Sequence, residues 1–237
     1  MKPTGISPSR RAFLRTALAT TPATLVLAQQ FFHPSLGLAA AETAPKAYQP
    51  AYFTASEWAL LMSLVDRLIP ADEEGPGALE AGVPEFIDRQ MGEPYGYGAL
   101  WYMQGPFRDA PAELGYQLPF TPRTLYRAAL PAFDKAVQAR FGKGLVELDE
   151  PTRDDAISQL QHGTLTIGIL PPLVFFDQLL QNTREGYFCD PVHGGNKDMA
   201  AWRMINFPGA RADYIDWVEQ YGREYPFRPV SVAVTGG

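Results

Sequence analysis

Cys189, Asp190 and His193 fall within one five-residue stretch, and thiolate, carboxylate and imidazole are the groups from which a zinc centre is assembled. The grouping stops short of a site, because a structural zinc needs four ligands at a tighter, repeated spacing and no second pair follows. The other histidine beyond the first forty residues, His162, like His193, does not stand three residues after a glutamate. The paired Glu-x-x-His pattern of a helical di-iron oxidase is therefore missing. Asp72, Glu73, Glu74 and Glu80 do not alternate along a loop closed by a glutamate, as calcium ligation requires, and read as solvated acids. Gly-x-Ser-x-Gly, His-Glu-x-x-His and the phosphate loop are all lacking. Gly96-Tyr97-Gly98 and Gly194-Gly195 have neither the spacing nor the preceding strand of a dinucleotide fingerprint. The expectation is a chain with no catalytic residue, no metal ligand and no cofactor-binding residue of its own. Asp190-Pro191 reads instead as a turn whose carboxylate accepts backbone N–H bonds, and both histidines as locally hydrogen-bonded.

The elements that would hold these residues are helices. Trp58, Leu61, Leu64, Val65, Leu68 and Ile69 recur at intervals of three and four, one face of a helix over 54–69. Thr54 and Glu57 form its capping box, and Pro70 ends it. After an acidic turn over 71–82, Pro84 opens a helix over 84–91. The Gly-, Pro- and Tyr-rich stretch 92–120 reads as ordered but irregular. A helix over 121–141 carries Leu125, Leu130, Phe133, Val137 and Phe141 on one side, with an interruption and kink expected at Pro131. Further helices are expected over 152–161 and 172–184. A last one, over 210–225, would place Tyr214, Trp217, Val218, Tyr221 and Tyr225 on one stripe. No segment alternates with period two. The fold class is all-α, a single helical domain with long ordered loops, without internal repeats and without a stretch long enough to span a bilayer.

That domain is preceded by a separate unit. Ser9-Arg10-Arg11-Ala12-Phe13-Leu14-Arg15 resembles the twin-arginine export consensus at each informative position: Ser9, the pair Arg10 and Arg11, then Phe13 and Leu14. A modestly apolar run over 16–28 follows, and Ala39-Ala40-Ala41 supplies the small residues of a cleavage site. Residues 1–41 are thus read as a twin-arginine (Tat) signal peptide and 42–237 as the exported domain. Four of the chain's 20 basic residues and none of its 26 acidic ones lie in the leader. The body is left with 16 basic and 26 acidic groups, a formal balance of −10, which argues against nucleic acid as a partner. Cys189 is the one cysteine. In an exported chain it is either a buried thiol or half of an intermolecular disulfide, and both stay open.

Two stretches carry a family resemblance. The first runs Leu64-Val65-Asp66-Arg67-Leu68-Ile69-Pro70-Ala71-Asp72, continuing with Gly75-Pro76-Gly77-Ala78, Ala81-Gly82-Val83 and Phe86-Ile87-Asp88. The second runs from Glu185-Gly186-Tyr187-Phe188-Cys189-Asp190-Pro191 through Val192-His193-Gly194-Gly195-Asn196 to Trp202-Arg203-Met204-Ile205-Asn206-Phe207-Pro208-Gly209. Together, behind the leader, they resemble the gluconate 2-dehydrogenase subunit 3 family, the small subunits of bacterial membrane-associated flavin dehydrogenases. Asn206 departs from the pattern, which would have glycine before Phe-Pro-Gly.

The resemblance implies a heterotrimer. Its large subunit carries FAD and oxidises a sugar or sugar acid, a multihaem cytochrome c subunit passes electrons toward quinone, and the small subunit is not catalytic alone. The small subunit would carry the export signal for a flavin subunit that lacks one, engage the Tat machinery, and end at the periplasmic face of the cytoplasmic membrane. Gluconate, 2-ketogluconate, fructose and glucose all remain open as substrates. For partner contact the candidates are the apolar run 165–176 and the aromatic residues Tyr214, Trp217 and Tyr221, because aromatics are enriched at interface centres. The turn Gly194-Gly195-Asn196 owes its glycines to positive φ or to a close backbone approach, and its competing reading is a purely internal loop. The alternative function is a free-standing periplasmic carbohydrate-binding protein, with Trp58, Trp101, Tyr102 and Trp202 as stacking faces.

Overall fold

Thr54 begins the first helix, α1 (Ala55–Leu68), with the reciprocal bonds expected: its side chain accepts from the Glu57 N–H while the Glu57 carboxylate accepts from the Thr54 N–H. The Glu57 carboxylate is buried and also takes an ion pair from Arg127, so the cap of one helix is tied to the flank of another. This computed structural model describes residues 48–108 and 111–232. The leader residues Ser9, Arg10, Arg11, Phe13 and Leu14 lie outside the described residues.

Five further α-helices follow among the described residues: α2 (Val83–Gly92), α3 (Pro122–Phe141), α4 (Glu150–Gln161), α5 (Pro172–Phe188) and the short α6 (Ala200–Met204). Each of α2 to α5 has proline in its first turn, where the missing N–H is no loss. Asp149 caps α4 by accepting from Thr152 N at 3.0 Å, which starts that helix two residues earlier than the apolar pattern suggests. Gly142 ends α3 in the left-handed conformation. Contrary to the expected interruption, α3 runs unbroken through Pro131, which is exposed.

The architecture is all-α. The described residues contain no β-strand, only two isolated bridges, Ile167 with Leu170 and Gly209 with Val230. No helix among them is long and apolar enough to cross a membrane. α5 is the central element, packed against α2 and α4, while α1 packs against α3 and α2. The core they share includes Leu61, Leu64, Tyr126, Phe133 and Phe175, all with essentially no exposure. Burying such side chains stabilises the fold by about 1.5–3 kcal/mol each. One polar cluster lies inside this core. Tyr126 Oη and Gln178 Nε2 both donate to Asn182 Oδ1, at 3.1 and 2.7 Å, and Asn182 Nδ2 reaches Tyr95 Oη and Glu185 at 2.8 Å each. Buried amides this well satisfied fix the register of α5 against α3 and the 93–98 turn.

The expected helix over 210–225 is not formed. A single 3₁₀ turn, Ile215–Trp217, is all that appears. Gly222 takes φ +67°, a conformation that breaks a helix. The Trp217 and Tyr225 rings lie 5.2 Å apart, whereas residues eight apart in a helix are separated by about 12 Å. The aromatic residues have folded across a loop rather than along a stripe. Its ends are closed by the Gly209–Val230 bridge and by Arg211 donating to the Arg228 carbonyl at 2.5 Å.

Candidate functional site

Glycine inside a helix costs about 1 kcal/mol relative to alanine, so Gly186 in α5 needs a local reason. A Cβ there would sit 2.7 Å from the Phe86 ring; the glycine lets α2 and α5 come together. On the same turn, the Gly186 carbonyl accepts from Asn196 N at 3.0 Å. Gly195 lies so close that a Cβ would collide with that carbonyl oxygen and stand 2.9 Å from the Cys189 sulfur. Asn196 is fully buried with φ +43°. Its side chain donates to the Cys189 carbonyl at 2.9 Å and accepts from Ala201 N at 3.0 Å. The loop 189–201 is thereby folded back on the end of α5. The glycines of Gly194-Gly195 serve this internal loop, Gly194 through φ +96° and Gly195 through close approach.

The two stretches that carry the family pattern meet here although they are far apart in the chain, Tyr187 and Pro76 being 111 positions apart. Tyr187 Oη donates to the Pro76 carbonyl at 2.7 Å, and Lys197 N donates to the Ala81 carbonyl at 3.0 Å. Lys197 Nζ also pairs with Glu85 at 2.7 Å. The earlier stretch prepares its side with turns: Asp72 Oδ1 accepts from Glu74 N and Gly75 N, and Glu80 from Gly77 N. Asn206 has φ +54°, which explains why glycine is the expected residue there and why asparagine, tolerant of that conformation, substitutes for it.

Two carboxylates fasten the ends of the domain to this region. Asp88, nearly fully buried, accepts from Tyr48 Oη, Ala51 N, Tyr52 N and Phe53 N at 2.7–3.1 Å. Burial, then the hydrogen bond to Asp88, pushes the Tyr48 phenol well above its ordinary value. Asp190 accepts from Val192 N at 3.0 Å, as the turn reading requires, and also from Ser231 Oγ at 2.5 Å and Val232 N at 2.9 Å. Burial raises its carboxyl, but the Ser231 hydroxyl and the two N–H groups outweigh that and hold it below the usual range. The sequence reading saw Asp88 only as part of a family stretch and did not see its role; no spacing rule links a helical aspartate to four donors 35 to 40 residues earlier.

Cys189 and His193 line one open pocket with Glu185, while Asp190 is taken up by its turn and the 231–232 segment. Among the described residues no group of three or more His, Cys, Asp or Glu is placed to hold a metal. His162 Nδ1 lies 2.7 Å from the Ser158 carbonyl. Neither Gly96-Tyr97-Gly98 nor Gly194-Gly195 follows a strand. Cys189 is a free, half-buried thiol whose S–H donates to the Gly186 carbonyl at 3.4 Å. Burial pushes its pKa up to about 11. Of the four rings proposed for sugar stacking, Trp202 is buried with its indole N–H on the Phe188 carbonyl at 2.8 Å. Trp58 lies against Tyr48, and Trp101 between Tyr95 and Tyr116. Only Tyr102 is exposed, so no common platform forms.

The predicted contact residues also rearrange. In the run 165–176, Leu165, Ile167, Leu170, Phe175 and Phe176 are core, leaving Ile169 and Leu173 outside. Tyr214 and Trp217 turn toward Tyr225, while Tyr221 is 85% exposed. At the junction of the two family stretches, by contrast, Phe188, Met204, Ile205 and Phe207 are all exposed.

A model of the family described as gluconate 2-dehydrogenase subunit 3 matches residues 55–209, from the first residue of α1 to the glycine that bridges to Val230. No curated protein and no solved structure matches the chain. The match spans both stretches and all six helices, and the chain belongs to the gluconate 2-dehydrogenase subunit 3 family.

Proposed function

We propose that this chain is the non-catalytic small subunit of an FAD-dependent, cytochrome c-linked dehydrogenase of the gluconate 2-dehydrogenase type. In this reading it binds the large flavin subunit in the cytoplasm and brings it out on its own twin-arginine signal. The observation that carries the reading is the junction itself: the two stretches typical of the family converge on an internally satisfied loop system that leaves large apolar side chains in water. Exposed apolar clusters of this kind mark protein–protein contact. FAD then belongs to the large subunit, haem c to the cytochrome subunit, and substrate choice to the flavin site. The assembled complex resides at the periplasmic face of the cytoplasmic membrane. Cys189 enters as the candidate covalent link to the flavin subunit, and electrophoresis of the complex with and without reductant tests that role; a mobility independent of reductant rules it out.

The reading predicts that an affinity-tagged chain recovered from its native periplasm brings a flavoprotein with it, detected by flavin absorbance. Arg10→Lys/Arg11→Lys should remove both from the periplasm together. A wild-type chain that comes down alone would end the dehydrogenase assignment.

A further inference from the structure

We infer that the partner's anchoring site on this chain is the groove between the 69–76 loop and the end of α5, and that its occupant is a segment of the flavin subunit presenting one apolar side chain flanked by lysine or arginine. The inference rests on the accessory-subunit reading and makes it specific. The groove, of about 480 Å³, is lined on its apolar side by Ile69, Pro70, Pro76, Tyr187, Phe188 and Met204. Asp72 and Glu74 are its only charged lining residues, and Glu73 between them is exposed. None of the described residues lining it is basic.

The groove is held open by the chain's own bonds. Tyr187 is pinned to the Pro76 carbonyl and Asp72 braces its loop, so the two walls are fixed in register without a ligand. Gly75 belongs to the same construction: a Cβ there would stand 3.3 Å from the Met204 sulfur and crowd the mouth. Methionine is a fitting wall residue, because its flexible thioether adapts to the shape of an entering side chain. Charge selects the rest of the occupant. An apolar slot with an exclusively acidic edge favours a basic neighbour on the entering segment and repels an acidic one. The wider body, with its excess of acids, points the same way. Exposure alone does not single out this place, since Ile169 is 94% exposed and Tyr221 85%, but neither of those lines this acid-edged groove.

The test is flavin recovered per tagged full-length chain, purified from the native host, with the thermal unfolding midpoint of each variant measured alongside. Met204→Asp puts a charge in the slot, and Glu73→Lys/Glu74→Lys reverses the edge at two exposed positions. Each should lower flavin recovery by about tenfold or more with an unchanged midpoint, while Ile169→Asp and Tyr221→Asp retain it. Recovery from wild type should also fall as salt rises. Wild-type recovery that survives both groove variants overturns the docking site and leaves the accessory reading standing. Loss with Tyr221→Asp alone moves the interface to the 210–228 loop and equally overturns it. A Met204-dependent dimer seen by light scattering would assign the groove to a second copy instead. A wild-type chain without flavin overturns both readings.

Discussion

Asp190 shows how a residue that looks like chemistry becomes a fastening. Its carboxylate gathers Val192 N, Ser231 Oγ and Val232 N, and these bonds, against the opposing effect of burial, hold its titration below the ordinary range. A carboxyl depressed in the folded state contributes stability above its unfolded pKa and loses it as pH falls through the lower folded value. The Val232 amide resonance should therefore titrate with a midpoint below about 3.9, and Asp190→Asn should abolish that titration. Asp88 has four donors rather than three and is more deeply buried. Asp88→Ala leaves the 51–53 N–H groups without an acceptor and should cost about 3 kcal/mol or more in urea unfolding. Cys189, with its pKa at about 11, should be almost wholly thiol at neutral pH and react with a disulfide reagent far more slowly than a free cysteine. Cys189 and His193 came into view through sequence proximity, whereas the bond that engages the Cys189 thiol goes to the Gly186 backbone carbonyl, a group that no motif records.

Among the elements, α3 carries an anomaly that is open to measurement. Pro131 lies inside an uninterrupted helix on an exposed face, where it denies the Arg127 carbonyl its usual N–H donor. Proline in a helix interior is about 3 kcal/mol less favourable than alanine, its restriction of the unfolded chain already included. Pro131→Ala should thus raise stability by about 3 kcal/mol in urea unfolding, with the cooperativity of the transition unchanged. Local signals made most of the helices legible. Thr54 with Glu57, and the prolines opening α2, α3 and α5, state their own geometry, because capping depends on neighbours three or four residues away. The 210–225 segment misled for the opposite reason: its aromatic spacing imitates a helical stripe, but Gly222 and the pairing of Trp217 with Tyr225 express a loop closed by the bridge between Gly209 and Val230. The hydrophobicity of the run 165–176 reflects burial for Leu165, Ile167, Leu170, Phe175 and Phe176, while Ile169 and Leu173 stay exposed.

For the molecule as a whole, the two family stretches were readable as patterns, but their convergence was not, since it depends on Gly186, Gly195 and Asn196 closing a loop over a helix end. Those three positions separate two functions that a single loss of activity would confuse: folding the junction and presenting its groove. Gly195→Ala forces a methyl group against the Gly186 carbonyl and should destabilise the domain by about 3 kcal/mol or more. Under the co-export proposal, a chain that folds poorly is a poor cargo for a route that carries folded proteins, so both it and the flavoprotein should decline in the periplasm. Met204→Asp leaves the junction's hydrogen bonds untouched and alters only the exposed wall. That chain should still be exported at near wild-type levels while the flavoprotein stays in the cytoplasm. Fractionation followed by immunoblotting of the chain and flavin measurement in each compartment distinguishes the two patterns, and identical behaviour of the two variants would mean that the groove serves the fold rather than the partner.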